Sequence, residues 1–185
     1  MRLFGNIEAR IDTKGRAFLP SVFRKVLQAQ GEDVLYLRKD AFQPCLVLYP
    51  ASVWDEEVDS LRKRLNRWNV RQQMIYREYV KDVEMLTLDA SGRILFSKRQ
   101  LEKANIEQSI KFIGMGDTIE IWRSDENEEP FMDPEEFSKA LEEIMGNPFD
   151  DPNINYPDRE WPFEVIKRKT TILCAKAQEY SPNSF

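Results

Sequence analysis

The chain has 185 residues and a net charge of −5, from 27 Lys and Arg against 32 Asp and Glu, and it contains no histidine. That length suits one or two small domains. Without histidine there is no Ser-His-Asp triad, no Cys-His dyad, no His-ligated metal and no histidine general base.

Cys45 and Cys174 stand far apart in sequence, so they make neither a C-x-x-C redox pair nor a zinc knuckle. Each reads as a small buried hydrophobe, a usage that suits a reducing cytoplasm. The N-terminal MRLFGNIEAR carries Arg2, Glu8 and Arg10 and lacks the apolar core of an export signal. The longest uncharged run, Ala41 to Trp54, is too short to span a bilayer and holds Pro44 and Pro50. A cytoplasmic protein with no membrane contact is expected.

The average charge conceals strong segregation. Residues 1–30 carry +4 and residues 61–81 carry +6, whereas residues 31–60 carry −5 and residues 125–160 carry −11. Binding to phosphates needs clustered Lys and Arg, and the local patch decides the field more than the total does. A basic working surface beside an acidic flank fits this pattern. Mutual neutralisation of the two in an oligomer fits it as well.

From the N-terminus, Phe4, Ile7, Ala9 and Ile11 alternate weakly and lead into Asp12-Thr13-Lys14-Gly15-Arg16, followed by Ala17-Phe18-Leu19. This predicts a strand, a tight turn and a second strand that pair with each other. Asp bonds backbone N–H groups two residues on, and Gly supplies a positive φ. Ser21 is the expected N-cap of a short helix carrying Val22, Phe23, Val26 and Leu27, and Gly31 ends it. Val34–Leu37 and Cys45–Tyr49 read as strands.

From Pro50 to about Val80 the period becomes helical, with Val53, Trp54, Val58, Leu61, Leu65 and Trp68 in one stripe and a break at Asn69. Arg62, Lys63, Arg64, Arg67 and Arg71 lie mainly off that stripe and read as a solvated basic face.

The opening pattern then returns. Val83–Leu88, the turn Asp89-Ala90-Ser91-Gly92-Arg93, Ile94–Phe96, a helix capped by Ser97, and strands at Ile110–Ile113 and Thr118–Trp122 repeat the first order. Gly114-Met115-Gly116-Asp117 reads as the hairpin turn between the last two. Asp133-Pro134 opens a further helix with Phe137, Ala140, Leu141, Ile144 and Met145 on one side. Beyond Gly146, Pro148, Pro152, Pro157 and Pro162 mark an extended arm, whose end at 163–177 is apolar enough to dock.

A unit of roughly 50 residues buries too little surface to be stable alone, so two such units are expected to share one sheet core. The two D-x-x-G-R turns then lie on one face about a pseudo-two-fold axis. They present Lys14, Arg16 and Arg93 together, and Arg suits bidentate contact with guanine or phosphate. Asp12 and Asp89, with Gly15 and Gly92, read as the structural part of the turns. Lys14 and Arg16 read as functional.

IDTKGRAFLP, LVLYP with its Trp-containing helix, LDASGRILF and GMGDTIEIW, in that order, resemble the MraZ family of bacterial transcriptional regulators, within the wider AbrB-like swapped-hairpin class. The resemblance spans about residues 1–145. It implies an α+β fold of duplicated AbrB-like, double-psi-like β-barrel units with short helices, peripheral helices and an extended C-terminal tail. The divisions are 1–50 for the first repeat, 51–81 for connecting helices, 82–146 for the second repeat with its helix, and 147–185 for the tail.

It also implies a ring-shaped homo-oligomer, associated with the nucleoid. The ring would bind tandem repeats in double-stranded DNA upstream of the division and cell-wall genes and repress by occupancy. Lys14, Arg16 and Arg93 fall at DNA-contacting positions, and no cofactor or metal is implied. Three features depart from the family pattern. Ala90-Ser91 stands where a basic or amide residue is usual, Ser97 stands where Pro is common, and the tail from Asn147 has no counterpart. The alternatives are an AbrB-like interaction module such as an antitoxin, and an enzyme working through carboxylates such as Asp12 and Asp89, for which no nucleophile or metal constellation is present.

Overall fold

The structure, a computed structural model, describes residues 2–124 and 130–146. The chain divides between Glu128 and Glu129 into two units. The first contains β1 (Leu3–Arg10), β2 (Arg16–Phe18), α1 (Ser21–Ala29), β3 (Val34–Lys39), β4 (Leu46–Pro50), α2 (Ala51–Arg64), α3 (Val70–Val80), β5 (Glu84–Thr87), β6 (Arg93–Leu95), α4 (Lys98–Lys103), β7 (Ser109–Gly116) and β8 (Ile119–Arg123). The described part of the second holds α5 (Pro134–Met145). Asp133 caps α5, accepting the N–H groups of Glu135 and Glu136 at 2.9 and 3.2 Å. The expected arm at 147–185 lies outside the described residues.

The fold is mixed α+β. A six-stranded antiparallel sheet has the order β1-β7-β8-β4-β3-β5, and β2 pairs with β6 in a separate two-stranded ribbon. The expected pairing of the first two strands across the Asp12 turn is therefore corrected. β1 runs along β7, from Leu3 opposite Gly116 to Arg10 opposite Ser109. β2 instead pairs with a strand some 77 positions later, Ala17 opposite Ile94. A local turn signal reverses the chain but does not choose the partner, which is set by the faces each strand must bury.

The core explains the choice. Leu3, Ile11, Ala17, Leu19, Phe23 and Leu27 from the first part of the chain pack with Ile94, Phe96, Ile110, Phe112, Ile119 and Ile121 from the later part in one cluster. β4 is buried along its whole length. Its Leu46 and Leu48 enter that cluster, while Val47 and Tyr49 enter a second one with Cys45 and Trp54. Alternation along a central strand feeds both faces of a sheet. On the second face Tyr79 of α3 stacks against Trp54, rings 2° from parallel at 5.9 Å, and the buried Arg38 guanidinium lies 3.9 Å from the Tyr79 ring centre.

Three local readings change. Ser21 is the first helical residue of α1 and not its cap. The cap is Pro20, whose carbonyl already accepts the Arg24 N–H at 3.0 Å. The helix after Pro50 stops at Arg64, before Leu65 and Trp68, because Asn66 draws the backbone into a turn by accepting the Trp68 N–H at 2.9 Å. Asn69 then caps α3 through the Gln72 N–H. Gly114 to Gly116 belong to β7, and Asp117 and Thr118 alone make the bend to β8. Ser97 does cap α4, accepting the Gln100 N–H at 3.3 Å.

Candidate nucleic-acid interface

Both turns are built from the same bonds. Asp12 Oδ1 accepts the backbone N–H groups of Lys14 and Arg16, each at 2.9 Å. Its Oδ2 accepts Arg16 Nε at 2.9 Å and pairs with the terminal guanidinium nitrogen at 2.7 Å. In the second turn Asp89 Oδ1 accepts the N–H groups of Ser91 and Arg93 at 2.8 and 3.0 Å, and Oδ2 accepts Arg93 Nε at 2.7 Å. Gly15 and Gly92 hold φ of 81° and 79°, the left-handed region that a side chain resists. The Arg16 side chain beside Asp12 holds that carboxyl down at about 2. Asp89 is likewise lowered, chiefly by the Arg93 backbone N–H.

The turns are also bound to each other's strands. Phe96 N–H donates to the Gly15 carbonyl at 2.8 Å, and Leu19 N–H donates to the Gly92 carbonyl at 3.0 Å. Between them the β2–β6 ribbon sets Arg16 opposite Leu95 and Phe18 opposite Arg93. Ala17 and Ile94 point into the core, both essentially fully buried. By alternation, Arg16, Phe18, Arg93 and Leu95 share the outer face. Phe18 and Leu95 are exposed there, and the Arg93 guanidinium lies 5.7 Å from the Phe18 ring centre.

Arg16 and Arg93 are thus diagonal neighbours on one face, with Cα atoms roughly 7–8 Å apart. Each guanidinium is held by its aspartate with part of its donor edge still facing out. That fixes the fork before any ligand arrives and lowers the entropy lost on contact.

Lys14 is exposed at the tip of the first turn, and its ammonium has no ion pair among the described residues. Beside it lies a cleft of about 340 Å³ lined by Thr13, Lys14, Gly15, Lys98 and Leu101, among others. In the second turn Gly92 is buried, while Asp89, Ala90 and Ser91 are exposed. Arg24 of α1 reaches across and donates to the Ser91 carbonyl at 3.3 Å. Sequence reasoning passed over Arg24, Phe18 and Leu95. Arg24 lies off the apolar stripe of its helix and, counted along the repeat, corresponds to Leu101, so neither periodicity nor repetition marks it.

The sequence of this ribbon and of the sheet around it has close counterparts. Over 146 residues the chain is 58% identical to a protein of Phocaeicola vulgatus named transcriptional regulator MraZ, covering 79% of this chain and 95% of that one. The chain belongs to the MraZ family. A protein of the same name from Bacteroides thetaiotaomicron is 56% identical over 147 residues, covering 80% of this chain and 94% of the relative. One from Flavobacterium psychrophilum is 32% identical over 150 residues, covering 80% and 95%. Residues 82–153 match the family model described as "MraZ protein, putative antitoxin-like". Among the described residues, no helix is long and apolar enough to cross a membrane.

Proposed function

We propose that the chain is a transcriptional regulator that binds duplex DNA through the outer face of the β2–β6 ribbon. The observation that carries this reading is the placement of Arg16 and Arg93 side by side on that face, each held by its own aspartate. A two-stranded ribbon fits the major groove, and a guanidinium presented edge-on can take both acceptors of guanine or two phosphate oxygens. Lys14 adds a charge at the turn tip that has no ion pair among the described residues. In this reading Asp12, Gly15, Asp89 and Gly92 shape the turns and do not touch DNA. The names of the relatives favour regulation over the antitoxin alternative.

The pairing pattern supports a duplicated fold of the swapped-hairpin kind. Ala17 pairs with Ile94, and Val47 pairs with Glu120, each residue occupying a matching place in the two runs. A pseudo-two-fold axis through both pairs would relate β1–β4 of the first repeat to β5–β8 of the second. Such an axis matches the local symmetry of duplex DNA.

One ribbon of three residues a side makes few contacts. A ring of copies presenting several ribbons to tandem repeats gains by effective concentration, which is how a weak single reader becomes a regulator. Occupancy of a promoter, in the nucleoid of a cytoplasmic setting, would then repress the genes behind it, those of division and cell-wall synthesis.

Fluorescence anisotropy on duplex DNA from immediately upstream of the chain's own coding sequence, against scrambled duplex, tests the reading. Arg16→Ala should abolish the preference for the upstream duplex while the circular dichroism spectrum stays unchanged. Retained preference in that variant would refute it.

A further inference from the structure

We infer that Arg24 is a DNA-contacting residue that gives the second turn the cation its own sequence lacks. The inference deepens the DNA-binding reading of the ribbon and rests on it. At the tip of the first turn stands Lys14, and the matching place in the second turn, 77 residues on, is Ser91. Arg24 donates to the carbonyl of that same Ser91 at 3.3 Å. Its guanidinium lies over Gly92 so closely that a Cβ at Gly92 would stand 1.8 Å from the terminal nitrogen and 2.8 Å from the guanidinium carbon. Gly92 is consequently buried, whereas Gly15 in the first turn is half-exposed beside the Leu101 cleft. The chain places a positive charge at both turn tips by different routes, from within the turn in the first and from α1 in the second.

The charge balance of the face gives this weight. Arg16 and Arg93 are each paired to a carboxylate, so each pair contributes little net charge. Among the described residues, Lys14 and Arg24 have no carboxylate within ion-pairing distance. Among the described residues, the cations left without a carboxylate at the two turns are these two, and counterion release on DNA binding would draw on them. One carbonyl bond takes one N–H of the Arg24 guanidinium and leaves the other donors for a phosphate oxygen.

The test is anisotropy over a salt series on the upstream and scrambled duplexes, comparing wild type with Arg24→Ala, Arg24→Gln, Arg24→Lys and Arg16→Ala, with a thermal melt of each. Arg24→Gln keeps a donor for the Ser91 carbonyl but removes the charge. The expected result is that Arg24→Ala and Arg24→Gln both weaken binding to the two duplexes alike and lower the salt slope by about one. Arg24→Lys should retain the slope, and Ser91→Lys added to Arg24→Ala should restore it.

If Arg24→Gln binds with the wild-type slope while Arg16→Ala loses its preference, Arg24 only braces the turn and the inference is overturned. If Arg16→Ala also keeps its preference, the ribbon reading itself is wrong and this inference falls with it.

Discussion

Ala17 lies opposite Ile94 in the β2–β6 ribbon, and the two residues hold the same place after their D-x-x-G-R turns. Both are buried, so the ribbon is anchored to the core at its centre and shows arginine on its outer side at each end. The turns are stitched across this pair by the Phe96–Gly15 and Leu19–Gly92 bonds. A change in one turn is therefore felt by the strand that follows the other.

The two turn glycines should differ in their tolerance of a methyl group. A Cβ at Gly15 would come within 2.9 Å of the Phe96 carbonyl oxygen, which is fixed backbone, whereas one at Gly92 meets the mobile end of Arg24. Both replacements force a side chain into positive φ, at about 1–3 kcal/mol. Gly15→Ala should cost more than Gly92→Ala in urea unfolding, and combining Gly92→Ala with Arg24→Ala should cost less than the sum of the two. Equal losses for the two glycines would contradict the geometry.

Acid should loosen the first turn through Asp12. Its folded value of about 2 lies below the ordinary 3.8, because Arg16 favours the carboxylate. Stabilisation from this group is fully present above about pH 4 and is lost as the pH falls through about 2. Asp12→Asn keeps an acceptor for the Lys14 and Arg16 N–H groups but cannot titrate. Thermal midpoints measured from pH 5 down to pH 2 should fall less steeply in that variant than in wild type.

Gly114 is held to glycine by the close approach of β1. A Cβ there would lie 2.4 Å from the Leu3 carbonyl oxygen and 2.9 Å from the Phe23 ring. Gly114→Ala should lower stability by about 1–3 kcal/mol. It should also raise the hydrogen-exchange rates of β1 amides above those of β4, because Gly5 pairs directly with Gly114. Unchanged exchange along β1 would count against this register.

Cys45 should be chemically silent in the folded chain. It is fully buried, and burial, aided by the nearby Glu120 and Asp40, pushes its thiol up to about 12. With Cys174 replaced by serine, a thiol reagent should modify Cys45 only at the rate of unfolding. Rapid modification in native buffer would show that the second cluster opens on its own.

The sequence by itself determined the local chemistry of this protein. Asp12 and Asp89 reach N–H groups two and four residues on, so the turns and their glycines are legible in ten residues, as are the Ser97 cap of α4 and the helical stripe of α1. Four motifs in order sufficed to point to the family. The tertiary structure alone decided the rest. It paired β2 with β6 and not with β1, ended α2 at Arg64, kept Gly114 and Gly116 within β7, and brought Arg24 onto a turn 67 residues away. Hydrophobic burial is non-directional: an apolar alternation says that a strand has a face to hide, and only the assembled core says against which strand, and beside which charge, that face comes to rest.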